Sequence, residues 1–239
     1  MSKTALIEAV RYLDLAETRR LLAKRPELRD VTDQSGRTLL HIACTANTKR
    51  LFMKPAAQVR FVKALLDAGL GADIDTPVGK DKCTALFFAV ARARNPSVVK
   101  LLLSRGAEVR AAPGSGLFGA VWYGDLAILR ILVEAGAEVD NVAFGMTPFL
   151  AAWCWSKFPC AKYLVAHGAD VNFQDLKGRT ALRQSVDREF DPALLKWLVA
   201  RGASPDINAS DGVSARLRAS RKRDKRFVLA FEGPAWGTA

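Results

Sequence analysis

One short phrase returns along this chain at a nearly fixed interval. Thr38-Leu39-Leu40, Thr84-Ala85-Leu86, Thr147-Pro148-Phe149 and Thr180-Ala181-Leu182 each open an apolar stretch, as does Thr4-Ala5-Leu6 near the start. Ser115-Gly116-Leu117 is a degraded copy. A Gly-Ala pair closes the later stretches, at Gly71-Ala72, Gly106-Ala107, Gly136-Ala137, Gly168-Ala169 and Gly202-Ala203. The step from opening Thr or Ser to closing Gly is 33, 22, 21, 21 and 22 residues, and successive glycines lie 35, 30, 32 and 34 residues apart. A period in the thirties marks a stack of like units, none of which can bury its apolar face alone. The core then runs along the stack, and length no longer sets a domain count.

Each unit reads as two helices and a turn. The first helix carries apolar residues at helical spacing, as in Leu40, Ala43, Cys44 or Phe149, Ala152, Trp153. A turn follows, at Gly124-Asp125 or Asn95-Pro96. The second helix has its own stripe, such as Val98, Leu101, Leu102 or Leu194, Leu195, Leu198. The opening Thr is placed to accept from free amides of the first turn, and Pro148 fits that turn without loss. The closing Gly is suited to the left-handed conformation just past a helix.

Composition narrows the class. Half of the 239 residues are hydrophobic, which speaks against disorder. No apolar run approaches the roughly 18 residues of a membrane span. Met1-Ser2-Lys3-Thr4 enters a unit directly, without a signal peptide's apolar core. The four cysteines, at 44, 83, 154 and 160, form no CxxC pair and suit reduced thiols in a cytoplasmic protein. The net charge is +12, and segment 216–226 (RLRASRKRDKR) carries about half of the excess.

These residues resemble the ankyrin repeats. Asp33, Gly36, Thr38, Leu40, His41 and Ala43 carry that family's pattern in one unit; Gly168-Ala169-Asp170-Val171-Asn172, then Asp175, Gly178, Thr180 and Leu182 carry it in another. The resemblance covers about residues 2–212 and implies an all-α ankyrin-repeat solenoid of helix-turn-helix units with short hairpin loops. We expect about five full repeats with terminal half-repeats: 1–212 as the repeat domain, in units of about 2–32, 33–75, 79–110, 111–140, 142–174 and 175–208, and 213–239 as a basic cap and tail. The departures are about 12 extra residues in the second unit, placed near 48–57 (TKRLFMKPAA), Phe118 where the family has His, and Arg216 where Leu is expected.

Catalytic chemistry finds little to use. The resemblance makes His41 structural, bonded to neighbouring loops, and places His167 towards solvent. No nucleophile–base pair, metal-ligand cluster or phosphate loop is visible, and Gly114-Ser115-Gly116 follows no strand. We expect no catalytic residue, no cofactor and no metal.

Binding has more to work with. The resemblance implies that first helices and hairpin tips line one concave surface, onto which the two residues after each buried Ala-small pair point. In order these are Arg11-Tyr12, Thr45-Ala46, Ala91-Arg92, Trp122-Tyr123, Cys154-Trp155 and Asp187-Arg188, with Phe144 and Met146 on an adjoining hairpin. The expected partner-binding residues are Tyr12, Arg92, Trp122, Tyr123, Phe144, Met146, Cys154, Trp155 and Arg188. Trp, Tyr and Arg dominate interface energies. The alternative packs Trp122 or Trp155 between units; Trp153, at the second small position, reads as core. The insertion either protrudes to meet a partner or tucks back. The tail either attracts phosphate or acidic protein or caps the last unit, and lacks interleaved aromatics for base stacking. Phe227-Val228-Leu229-Ala230-Phe231 reads as folding back, and 233–239 as a frayed end.

The function expected is therefore non-enzymatic: a monomer that binds another protein, an acidic one, through its concave face and hairpin tips. A nucleic-acid-associated protein using 216–226, or an inhibitor or antitoxin-like subunit of an enzyme, are the alternatives.

Overall fold

Short helices follow the recurring phrases. The computed structural model describes residues 2–70, 74–80, 82–109 and 115–232; Gly71-Ala72, Gly114 and 233–239 lie outside them. Among the described residues regular structure is helical, and the only β pairing is isolated bridges in the connecting hairpins. The chain divides into two units, Met1–Glu138 and Val139–Ala239.

The first unit holds four helical hairpins. They are α1 (Lys3–Arg11) with α2 (Leu15–Lys24), α3 (Leu39–Thr45) with α4 (Pro55–Asp67), α5 (Ala85–Phe88) with α6 (Pro96–Ser104), and α7 (Ser115–Tyr123) with α8 (Leu126–Glu134). First helices stack in sequence, α1 on α3 on α5 on α7, and α4, α6 and α8 stack likewise. The second unit repeats the plan with α9 (Pro148–Cys154), α10 (Phe158–Ala166), α11 (Ala181–Asp187), α12 (Pro192–Val199), α13 (Ala215–Ser220) and α14 (Arg226–Leu229). Most of the stripes anticipated from spacing are core: Leu40, Ala43, Cys44, Val98 and Leu102 are buried in one unit, Phe149, Ala152, Trp153, Leu195 and Leu198 in the other, while Leu101 and Leu194 are half-buried.

Four of the opening threonines cap their helices. Oγ1 accepts from the amide three residues on, at 3.5 Å for Thr38, 3.3 Å for Thr84, 3.2 Å for Thr147 and 3.3 Å for Thr180. Each such cap contributes about 1 kcal/mol. Thr4 does not: α1 begins at Lys3 and its cap residue, Ser2, makes no side-chain bond.

The Gly-Ala phrase is a helix-ending motif. Gly106, Gly136, Gly168 and Gly202 have φ between +86° and +90°. The alanine after each reaches back five residues, as in Ala107 N to Leu102 O at 3.1 Å and Ala169 N to Leu164 O at 3.1 Å. This satisfies carbonyls that a helix end leaves free, and the alanine is buried. Helix α4 ends differently from expectation. Gly69 takes the positive φ and Leu70 N bonds Leu65 O at 3.0 Å, so the motif falls two residues before Gly71-Ala72.

A second regularity is invisible in the sequence. In every hairpin but the last, α13 with α14, the turn between the helices carries one left-handed residue: Leu13, Phe52, Arg94, Gly124, Ser156 and Glu189, with φ from +52° to +70°. Five of the six are not glycine. In most units this residue stands nine positions after the opening Thr or Ser; Arg94 stands ten after Thr84. A π turn at Ala89–Ala93, closed by Arg94 N to Ala89 O at 2.9 Å, absorbs the extra residue.

The hairpin loops are tied to their neighbours. The amide after a Gly-Ala pair donates to an acid or amide of the preceding loop: Glu108 N to Asp75 Oδ2 at 3.0 Å, Asp170 N to Asp140 Oδ1 at 3.1 Å, Ser204 N to Asn172 Oδ1 at 2.8 Å. In the second unit Arg183 stands where His41 stands in the first, three residues past the opening Thr. Its buried guanidinium donates to Val213 O, to Asp211 at 2.8 Å and to Asp187 at 3.1 Å; Arg218 donates to Asp187 at 2.8 Å. The Arg183 hydrogen bonds hold the Asp211 carboxyl down at about 2.

The basic segment is structured. α13 packs on α11, and α14 on α12 and α13. Phe227, Ala230 and Phe231 are buried. Four of its seven basic residues are ion-paired, Arg216 with Asp206, Arg218 with Asp187, Lys222 with Glu189 and Arg226 with Asp224.

Candidate functional site

The exposed aromatics stand where first helices end. Tyr12 is the cap residue that follows α1, and Trp122 and Tyr123 are the last residues of α7. Each tyrosine immediately precedes a left-handed turn residue, so its side chain leaves the helix at its open end. Trp122 is 58% exposed and Tyr123 40% exposed. The Arg94 guanidinium lies over the Tyr123 ring, 4.8 Å from its centre, and 3.9 Å from Asp125. The π turn shifts the register in its own unit: Arg92 and Ala93, not Ala91 and Arg92, precede the turn residue. Arg92 is exposed and Ala91 is buried accordingly. Ala46 is buried too, because the chain turns away into the inserted residues.

The insertion is an extra turn at 48–52, held by Asn47 Oδ1 accepting from Lys49 and Arg50 amides at 3.1 and 3.3 Å. Pro55, Ala56 and Ala57 belong to α4. Phe52 projects at its tip, 98% exposed.

In the second unit Phe144 and Gly145 form a two-residue turn, both with positive φ, between the bridged Ala143 and Met146. Phe144 is 82% exposed and Met146 half-buried. Leu176, on the next hairpin tip, and Val142 are exposed beside this sequence feature and escaped sequence reasoning. Leu176 was readable as an apolar residue inside the otherwise polar Asp175-Leu176-Lys177-Gly178 turn. Cys154 is a correction. Its side chain is buried, and burial pushes its thiol above the usual range. It still ends α9, and its carbonyl accepts from exposed Arg188. Trp155 is half-buried.

Neither histidine is arranged as a catalytic base. His41 is buried, its Nε2 donating to Thr76 O at 3.0 Å, so the Thr38 hydroxyl donates to Nδ1 at 2.7 Å. Phe88 meets its ring edge-on at 5.8 Å. Burial lowers its pKa, helped by Arg37 and opposed by the Thr76 carbonyl and Asp33. The unfolded chain therefore binds the extra proton first, and His41 stabilises the fold above pH ~6.5 and less as pH falls below it. Denaturation midpoints should drop between pH 7.5 and 5.5, and His41→Gln should flatten that drop; an unchanged slope would contradict the neutral, buried imidazole. His167 is exposed and packs on Tyr163 at 4.0 Å between ring centres. Among the described residues no cluster of His, Cys, Asp or Glu could hold a metal ion, and no helix is long and apolar enough to cross a membrane.

The family model described as ankyrin repeats matches residues 6–112 and 117–223. The chain belongs to the ankyrin repeat family. Its fold is the all-α ankyrin-repeat solenoid, and such repeats are modules of protein–protein interaction. The ankyrin repeat domain of Bcl-3 superposes with a TM-score of 0.76 at 23% identity, covering 96% of this chain and 98% of that one. The human ASB11 ankyrin repeat domain gives 0.72 at 24% identity over 96% and 98%. Among curated proteins, the phosphocholine transferase AnkX of Legionella pneumophila is 30% identical over 70% of this chain and 17% of its own length. The B-cell lymphoma 3 protein homolog of Mus musculus is 27% identical over 86% of this chain and 44% of its own. The ankyrin chain thus spans less than half of either curated protein.

Proposed function

We propose that this chain is a non-enzymatic recognition module that holds an acidic partner protein through the first-helix ends and hairpin tips of each of its two units. Tyr12, Arg92, Trp122 and Tyr123 serve in the first unit, and Phe144, Met146, Trp155 and Arg188 in the second. The observation that carries this reading is the exposure of Trp122 and Tyr123 at the end of a helix whose Leu117, Phe118, Ala120 and Val121 are buried. Large aromatics grouped on a surface mark partner sites, because burying them on association gains area at small rotamer cost. Caps on both sides of the hairpins hold this surface before a partner arrives, so little ordering entropy is lost on binding. Arginines at its edge favour acidic partners and speed encounter.

Affinity capture from the source organism's extract, with wild type against Trp122→Ala, Tyr123→Ala, Trp155→Ala together, tests this. Loss of about 2 kcal/mol or more, roughly 30-fold in affinity, is expected with unchanged helical circular dichroism. Retained capture, or loss of helicity, would show that these side chains serve packing.

A further inference from the structure

A pocket of about 540 Å³ opens on the first unit beside the face just described, and arginine dominates it. Arg37, Arg50, Arg92 and Arg94 line it together with Phe88 and Tyr123, and no carboxylate does among the described residues. The four come from separate places. Arg37 follows a hairpin tip, Arg50 sits on the inserted turn, and Arg92 and Arg94 lie in and just after the π turn. Two are fixed in place: Arg37 by Asp33 at 2.7 Å, Arg94 by the Tyr123 ring and Asp125. Arg50 and Arg92 are exposed, and no ion pair holds either of them among the described residues. Four guanidiniums against the two carboxylates paired with them leave two positive charges facing a half-open space walled by Phe88 and Tyr123.

We propose that this pocket binds a phosphorylated side chain of the partner, a phosphomonoester on a protein. The proposal rests on the recognition reading above and deepens it. A phosphomonoester carries roughly −1.5 to −2 at neutral pH and offers three acceptor oxygens. That charge matches the uncompensated pair, whereas a carboxylate or phosphodiester supplies only one. Guanidinium forks engage phosphate oxygens two at a time, and two pre-held arginines with two free ones suit three oxygens. Phe88 and Tyr123 wall the pocket, which fits one phosphorylated residue with its apolar stem better than a continuous nucleic-acid backbone. The two departures from repeat spacing, the inserted turn and the π turn, are what bring Arg50, Arg92 and Arg94 to one place; a regular repeat would not assemble them.

Titration of the full chain with phenyl phosphate, followed on the arginine Nε–H resonances by NMR, tests it. Saturable shifts at Arg50 and Arg92 are expected. Arg50→Ala with Arg92→Ala should weaken binding about tenfold or more, dimethyl phosphate should bind about tenfold more weakly than phenyl phosphate, and Arg221→Ala, outside the pocket, should change nothing. Both substituted arginines are exposed, so the variant should keep its fold, which circular dichroism checks. Absence of saturation, equal loss in Arg221→Ala, or an oligothymidylate that binds more tightly with the same arginine dependence would overturn the proposal, the last by making this a nucleic-acid site. Failure here with intact aromatic-dependent capture leaves the recognition reading standing, whereas arginine-dependent phenyl phosphate binding without that capture removes the recognition reading and, with it, the assignment of the phosphomonoester to a partner protein.

Discussion

Replacing Trp153 by alanine should lower the unfolding free energy by about 3–5 kcal/mol, the usual range for removing a fully buried tryptophan. Trp153 has no solvent exposure. It stacks on Trp197 at 6.1 Å, meets Phe158 edge-on at 5.2 Å and Phe149 at 6.0 Å. The corresponding position elsewhere is Cys44, Val90 or Val121, so one repeat carries far more volume than its siblings. Its neighbour makes room. Ser185 on α11 is also fully buried, and its hydroxyl accepts from Trp153 Nε1 at 2.7 Å while donating to Ala181 O at 2.7 Å. Alanine would open a cavity between stacked helices that cannot slide without breaking their caps. Trp153→Phe should cost less, chiefly the lost bond to Ser185, about 1 kcal/mol. Chemical denaturation of the three proteins measures both numbers, and a loss under 1 kcal/mol for alanine would contradict the packing described.

Arg183→Ala is expected to cost about 2–3 kcal/mol, below the full penalty for breaking a buried ion pair. The guanidinium is buried and joins two hairpins through Asp187, Asp211 and Val213 O. The discount arises because Asp211 is half open to water and Asp187 keeps Arg218. Arg183→His should lose less than half as much. An imidazole there restores the Thr-x-Leu-His phrase and can donate to Val213 O as His41 donates to Thr76 O. If His and Ala prove equally damaging, the ion pairs and not the carbonyl bond hold the loop.

Much of this architecture was legible because its signals are local. A threonine hydroxyl, a Gly-Ala pair and an apolar stripe each act within a few residues, so spacing alone located the helices and most of the core. Where two local solutions compete, sequence does not decide. Gly69 and Gly71 both suit the end of α4, and only the backbone shows that Gly69 closes it. Thr4 reads as a cap but lies within α1, since Ser2 starts the helix earlier. The resemblance directs Cys154 outward, yet the helix turns it inward. The arginine pocket was hidden for a different reason. Its residues are 13, 42 and 2 positions apart along the chain, and an inserted turn and a π turn break the very register used to read the rest.

The left-handed residues between paired helices carry a consequence for how the molecule changes over time. Glycine would occupy that conformation most easily, and a side chain there costs about 1 kcal/mol or more in backbone strain. Five of six turns accept the strain. Leu13 spends its side chain on the core, whereas Phe52, Arg94, Ser156 and Glu189 keep theirs exposed at the mouth of a hairpin. Phe52 stands fully out from such a site and Arg94 reaches the arginine pocket from another. At Phe52, which stands clear of the stack, a substitution can alter what the surface offers without disturbing a neighbouring repeat, so a new specificity can be written there one residue at a time.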